Sequence, residues 1–401
     1  MDQKWAIETK AIQCGWEPKN GEPRVLPICQ STTYKYDNAA QVAKWFDLEA
    51  DGHIYSRLSN PTVDAFERKM AALEGGIGAL ATSAGQAASM VSIANVCTSG
   101  QHFIAAAALY GGTVALFTNT LKKMGIEVSL VDPEASLDEL RKFVRPNTRA
   151  VFGETISNPG MAVLDFEKFS TLAKEIGVPF IVDNTFGTPY LCRPLELGAD
   201  IVIHSATKYI DGHATSVGGV IIDSGKFNWN NGKFPEMTEP DESYHGLIYT
   251  KQFGAAAYIA KARAQWIRDV GCYMSPMNAF LSHLGLETLH VRMDRHCSNA
   301  QAIAEFLEKH PKVAWVNYPG LKSNKFHDRA KKYLPKGCSG VMTFGVKGGR
   351  KAGEIVMDSL KLAAIVVHVA DVRTCVLHPA SMTHRQLSDA EQLAAGVTPD
   401  L

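Results

Sequence analysis

PFIVDNTFGTPYLCRPLELGADIVIHSATKYIDGHATSVGG, residues 179–219, holds two short apolar runs, Phe180–Val182 and Ile201–Ile203. Each run ends in polar residues, which is how a strand buried on both faces ends when it reaches a site. The first delivers Asp183. The second delivers His204, Ser205, Thr207 and Lys208, and a glycine-rich segment follows. An acid and a lysine at neighbouring strand ends suit one kind of cofactor, an aldehyde that the lysine binds as a Schiff base and a ring nitrogen that the acid keeps protonated. Ser205 and Thr207, within a turn of Lys208, offer hydroxyls to a phosphate ester on the same ring. Taken alone, a lysine after an apolar strand is more often a solvated strand end, and Ser-x-Thr-Lys is a short pattern.

VDNTF, then HSATKYIDGH and VGG, resembles the trans-sulfuration enzymes, the pyridoxal-phosphate group that acts on cysteine, homocysteine and methionine precursors. Within that group the likeness is to the O-acetylhomoserine sulfhydrylases. The resemblance implies that Lys208 is the Schiff-base lysine and Asp183 the partner of the pyridine nitrogen.

Composition narrows the field. The chain has 401 residues, 46% hydrophobic and 20% charged, with 41 basic against 41 acidic side chains. No net charge points to nucleic acid or a membrane surface, and no apolar run nears the ~18 residues of a membrane span. The first residues lack the basic start and apolar core of a secretory signal. Eight cysteines are scattered with no Cys-x-x-Cys, against zinc or a disulfide framework and in keeping with a cytoplasmic protein.

Outward from the central stretch, short apolar strands alternate with helices. Residues 1–52 are irregular but aromatic, and are expected to form an arm on a neighbouring subunit. His53–Thr62, HIYSRLSNPT, opens a helix at Pro61. By themselves Tyr55 and Arg57 are unremarkable; the resemblance implies that they cross to the neighbouring subunit and bind the cofactor phosphate. Ala79–Thr82 reads as a strand before Ser83-Ala84-Gly85-Gln86, and a strand, a glycine turn and a helix start make an anion site. The family uses this segment as its phosphate loop, with Gly85 and Gln86 as backbone donors. Tyr110, at a strand end before Gly111-Gly112, either lies flat on a ring or packs as a core tyrosine. In the family it stacks on the pyridine and takes part in proton steps. Sulfhydrylases usually carry glycine at the place of Gly112 and methionine γ-lyases cysteine.

Ser136 and Glu139 form a capping-box pattern. Ala150–Glu154 is a strand ending in Thr155-Ile156-Ser157-Asn158-Pro159. Asn158 is a turn former or, by resemblance, the amide that meets the substrate carboxylate, with Ser157 beside it. Asn228–Tyr249 is a polar stretch expected to loop near the site entrance or to be a surface insertion. His368 falls where substrate-facing backbone is expected, and the signature His378-Pro379-Ala380-Ser381-x-Thr383-His384 follows; no chemistry is assigned to these histidines.

The expectation is an α/β protein of the aspartate-aminotransferase-like fold type I. Its large domain, residues 53–255, holds a doubly wound, mostly parallel sheet with the site at the strand C-termini, and a smaller α+β domain covers 256–401. The resemblance implies replacement of acetate by sulfide on O-acetyl-L-homoserine, yielding homocysteine in methionine biosynthesis. Lys208 then serves as nucleophile and shuttle base, assisted by Tyr110, in a homotetramer built as a dimer of dimers. Two rivals stand beside it: a methionine or cystathionine γ-lyase of the same family, and a non-catalytic scaffold. The family's carboxylate-clamping arginine follows the segment matched by Gly396–Leu401, so the expectation is a small domain cut short, with Arg373 the first substitute.

Overall fold

In the computed structural model, the described residues are 4–50, 52–382, 385, 397–398 and 400–401. Seven strands form the main sheet: β1 (Gly78–Thr82), β2 (His102–Ala106), β3 (Glu127–Val131), β4 (Thr148–Glu154), β5 (Phe180–Asp183), β6 (Ile201–Ser205) and β7 (Gly219–Asp223). Their order is β1-β7-β6-β5-β4-β2-β3. The pairs β3–β2, β2–β4, β4–β5 and β5–β6 are parallel, as expected of strands joined by helical crossovers. β7 returns from β6 through a loop with no helix, so it runs antiparallel to β6 and to β1. Phe180–Val182, Ile201–Ile203 and Val220–Ile222 are wholly buried, which explains their unbroken apolar character.

Local signals hold the flanking helices in place. Asn60 accepts from the Thr62 N–H, Pro61 opens the Pro61–Glu74 helix, and Gly75 closes it at φ 81°. Ser136 and Glu139 form the full capping box. The Gly111–Leu121 helix passes into a π-helical turn at Leu116–Leu121 that the sequence does not announce, and Ala262–Ile267 does the same.

Residues 27–36 clasp residues 54–62. The Thr62 hydroxyl donates to the Pro27 carbonyl and accepts from the Cys29 N–H, and Tyr36 donates to the Ile54 carbonyl. Contacts with the elements flanking the large sheet continue past residue 256: Tyr258 donates to the Ser92 carbonyl and Asn278 to that of Val217. The Leu289–Glu308 helix then leads to a small antiparallel pair, β8 (Val313–Asn317) and β9 (Thr343–Val346).

The first half of the polar stretch 228–249 lies away from the site within the protomer. Asn231 donates to the Gly177 carbonyl and Lys233 to that of Ile176, in the turn before β5 and therefore at the sheet edge opposite the site. Trp229, Phe234 and Met237 are buried there. The stretch is anchored by its aromatics, which pull it under the sheet. Its second half runs beside residues 264–268, where Tyr244 donates to the Ala264 carbonyl.

Candidate active site

β4, β5 and β6 end side by side, with Glu154 in register with Asp183 and Asp183 with Ile203. Asp183 Oδ1 accepts from the Thr185 N–H at 2.9 Å and the Thr185 hydroxyl at 2.6 Å. The Thr185 hydroxyl in turn accepts from the Ser205 N–H at 2.8 Å, so one side chain ties the two strand ends together. Burial raises the Asp183 carboxyl above its usual range, against the pull of Thr185 and of nearby His204. Behind the sheet His204 shares the Glu74 carboxylate with Asn184, all three fully buried.

Glu154 was not singled out from the sequence. Its Oε1 accepts from the Tyr110 N–H at 2.7 Å, and the carboxylate also takes the Asn158 N–H. One buried acid thus fixes the two residues expected to meet ring and substrate. Burial, and then Asp183, push its carboxyl well above the usual range. The available signal was its place: a carboxylate ending an apolar run, as Asp183 does.

The Gly85–Ala94 helix begins with Ala84 at its N-cap and no side-chain cap, leaving first-turn N–H groups open to an anion. A Cβ on Gly85 would stand 2.6 Å from Ser205 Cβ, so only glycine lets this helix end reach Ser205. Among the described residues, the Ser205 hydroxyl makes no hydrogen bond. Thr207 differs from the expectation. Its hydroxyl donates to the Gly218 carbonyl and accepts from the Gly218 N–H, both at 3.1 Å, so it joins a phosphate only by releasing that carbonyl. A Cβ on Gly112 would lie 2.5 Å from Tyr110 Cε1 and 2.6 Å from Gln86 Nε2, so those two side chains would have to shift to admit it. The Tyr110 ring and the Gln86 amide therefore converge over Gly112.

Lys208 sits in the turn after β6, where its N–H donates to the Ser205 carbonyl and its carbonyl accepts from Gly212. The loop beyond is fastened by Asp211, which takes hydrogen bonds from His213, Thr215 and Ser216. Arg292 bridges the Tyr209 and Gly285 carbonyls at its other side. Burial lowers the Lys208 pKa, partly offset by Cys375 and Asp371. Its Nζ lies 3.4 Å from His368 Nδ1, so His368 brings its imidazole to the lysine, not merely its backbone to a substrate.

The remaining expected residues are less tightly joined. Ser157 is buried and its hydroxyl accepts from the Ala162 N–H, which makes it a turn former beside Asn158. Arg57 donates to the Arg268 carbonyl and lies 5.6 Å over the Tyr55 ring; within the protomer neither side chain bonds the Gly85–Gln86 or Ser205–Thr207 groups. Arg373 donates to the His213 carbonyl. His378 pairs with the Ser381 hydroxyl at 2.9 Å, while Thr383 and His384 of that signature lie outside the described residues.

These groups fit pyridoxal 5'-phosphate: an acid for the ring nitrogen, an uncapped helix end and a bond-free hydroxyl for the phosphate, and a desolvated lysine for the aldehyde. Known proteins agree. A model of the Cys/Met metabolism PLP-dependent enzymes matches residues 8–401. The O-acetyl-L-homoserine sulfhydrylase of Leptospira meyeri is 46% identical over 409 residues, spanning 100% of this chain and 92% of that protein. The homocysteine synthase of Schizosaccharomyces pombe is 47% identical over 399 residues, 98% of this chain and 93% of that one. A Campylobacter jejuni crystal structure assigned as an O-acetylhomoserine (thiol)-lyase superimposes with a TM-score of 0.95 at 37% identity, covering 99% of this chain and 94% of that one. It contains N'-pyridoxyl-lysine-5'-monophosphate.

Proposed function

The chain belongs to the Cys/Met metabolism PLP-dependent enzyme family, and on that premise we propose that it replaces the acetate of O-acetyl-L-homoserine with sulfide to give homocysteine. It is a pyridoxal-phosphate-dependent transferase of fold type I. The observation that carries the reading is the convergence of half-buried Lys208 and Asp183 at adjacent strand ends in a chain matched along its whole length by sulfhydrylases.

Pyridoxal phosphate, when bound, supplies the electron sink that makes protons on the substrate's carbon chain removable. Asp183 holds the ring nitrogen, and Gly85, Gln86 and Ser205 hold the phosphate, with Thr207 shaping the loop. Tyr110, placed over Gly112 and fixed by Glu154, covers the ring face. Lys208 Nζ takes the α proton, and its burial favours the neutral amine that this needs. Asn158, presented by the Ser157 turn and fixed by Glu154, faces the substrate carboxylate. Acetate leaves the γ carbon, and sulfide adds there.

The assembly we propose is a dimer of dimers in which Tyr55 and Arg57 complete a neighbour's phosphate site, with residues 1–52 as the arm. Tyr55 is 44% exposed in the protomer, which supports that reading. We place the protein in the cytoplasm, in keeping with eight free cysteines. No helix among the described residues is long and apolar enough to cross a membrane.

The test is a turnover panel of O-acetylhomoserine, O-succinylhomoserine and O-acetylserine with sulfide. Homocysteine from the acetyl ester is expected. Release of 2-oxobutanoate in its place would overturn replacement in favour of γ-elimination.

A further inference from the structure

Lys208 meets one titratable side chain that the transfer as described leaves unused. His368 Nδ1 lies 3.4 Å from Lys208 Nζ. The other ring nitrogen, Nε2, is buried without a hydrogen bond among the described residues and stands 3.7 Å from Asp371 Oδ2. The turn that presents this ring is tied to the lysine's own loop. The Val372 N–H donates to the Gly212 carbonyl at 3.0 Å, Asp371 Oδ1 accepts from the Arg373 N–H, and the Cys375 thiol donates to the His368 carbonyl at 3.3 Å.

Once Lys208 has taken a proton it is an ammonium with donors and no acceptor, so Nδ1 accepts from it, with the ring proton on Nε2, towards Asp371. The charged groups acting on the ring are Lys208 and Asp211 from the turn after β6, and Asp371 from its own turn. Burial and the Lys208 charge hold the imidazole below its usual range, opposed by Asp371 and Asp211, which favours the uncharged ring that can accept.

We propose that His368 is a proton relay for Lys208, accepting at Nδ1 the proton that Nζ releases, with Asp371 holding the imidazolium that results. One N–H bond breaks at Nζ and one forms at Nδ1; no electrons change hands. His368 acts through Lys208 and is a positioning and relay residue. The proposal rests on the replacement reading, in which protons leave both the α and the β carbon and Lys208 takes each in turn. The contact itself does not rest on that reading.

Two measurements test it. The first is an NMR titration of the His368 imidazole in cofactor-free wild type and Lys208→Ala. Loss of the neighbouring positive charge is expected to raise the His368 pKa; an unchanged titration would overturn the relay. The second compares wild type with His368→Asn, which keeps a polar side chain that does not titrate, and with His368→Gln. With cofactor absorbance retained, kcat is expected to fall about 100-fold, in the range of one general acid–base group. KM for O-acetylhomoserine should stay within about twofold, and the acid limb of the pH profile should vanish. A wild-type rate and profile in both variants would also overturn it. Should wild type release no homocysteine at all, the replacement reading fails, and the titration still decides the relay.

Discussion

Glu154 and Asp183 stand in register on neighbouring parallel strands, two carboxylates at the ends of β4 and β5. Glu154 holds the Tyr110 and Asn158 backbones, and Asp183 holds Thr185. Both carboxyls are raised, Glu154 from 4.5 and Asp183 from 3.8, with burial the main cause. Acids raised in the folded state contribute stability fully present below their unfolded pKa values and lost as pH rises through the folded ones. The contribution of these two groups to the stability of cofactor-free wild type should therefore fall as pH rises through their folded pKa values. Glu154→Gln removes one of the two charges, so its urea midpoint should gain on wild type as pH rises. Each unit of raised pKa appears as about 1.4 kcal/mol in that difference. A difference that does not change with pH would refute the charge pairing.

Gly112 is a specificity position. A side chain there meets the far ends of Tyr110 and Gln86, both flexible, so Gly112→Ala and Gly112→Cys should fold. The cost falls on placement of the tyrosine ring. Homocysteine formation should drop in kcat/KM by about 100-fold, the scale of a ~1 Å misplacement, and the share of 2-oxobutanoate should rise. An unchanged product ratio with unchanged kcat/KM would show that Tyr110 does not depend on this glycine.

How much of this was legible beforehand depends on what each residue's signal is made of. The strands were readable because burial on both faces writes an unbroken apolar run, as in Ile201–Ile203. Asp183 and Lys208 were readable because they end such runs within one short stretch. Glu154 ends a run too, but a single strand-end acid looks solvated until the register with Asp183 is known. His368 was singled out for its backbone alone; the contact of its imidazole with Lys208 was out of reach, since it spans 160 residues of chain and only packing joins them. Asn228–Tyr249 reads as a loop near the site entrance or a surface insertion, and its first half is placed by three apolar residues, Trp229, Phe234 and Met237, that the polar composition hides.

Ala370 carries strain in the turn that presents His368. It is buried, non-glycine and at φ 71°, the left-handed region. A Cβ there costs more than the chain entropy a glycine adds, so Ala370→Gly should stabilise the protein by about 0.5–1 kcal/mol. The check is the urea midpoint of the cofactor-loaded protein, with kcat as control for the His368 geometry. A lower midpoint would mean that the turn does not hold this conformation in solution.

Arg57 provides the test of the shared site. Within a protomer its guanidinium reaches the Arg268 carbonyl and the Tyr55 ring, and neither contact uses the planar fork that binds phosphate bidentately. Arg57→Ala should lose most activity, since one charged partner contributes on the order of 2–5 kcal/mol. Lys208→Ala should lose all of it. If Arg57 serves the neighbour, a dimer of one Arg57→Ala and one Lys208→Ala subunit holds one site with both defects and one with neither. Random pairing makes half the dimers mixed, each with one good site of two, so co-expressed subunits should recover about a quarter of wild-type activity. If each site were built from one protomer, every site in the mixture would carry a defect. Activity no higher than the separate variants, in an assembly of wild-type size, would then place Arg57 in its own subunit.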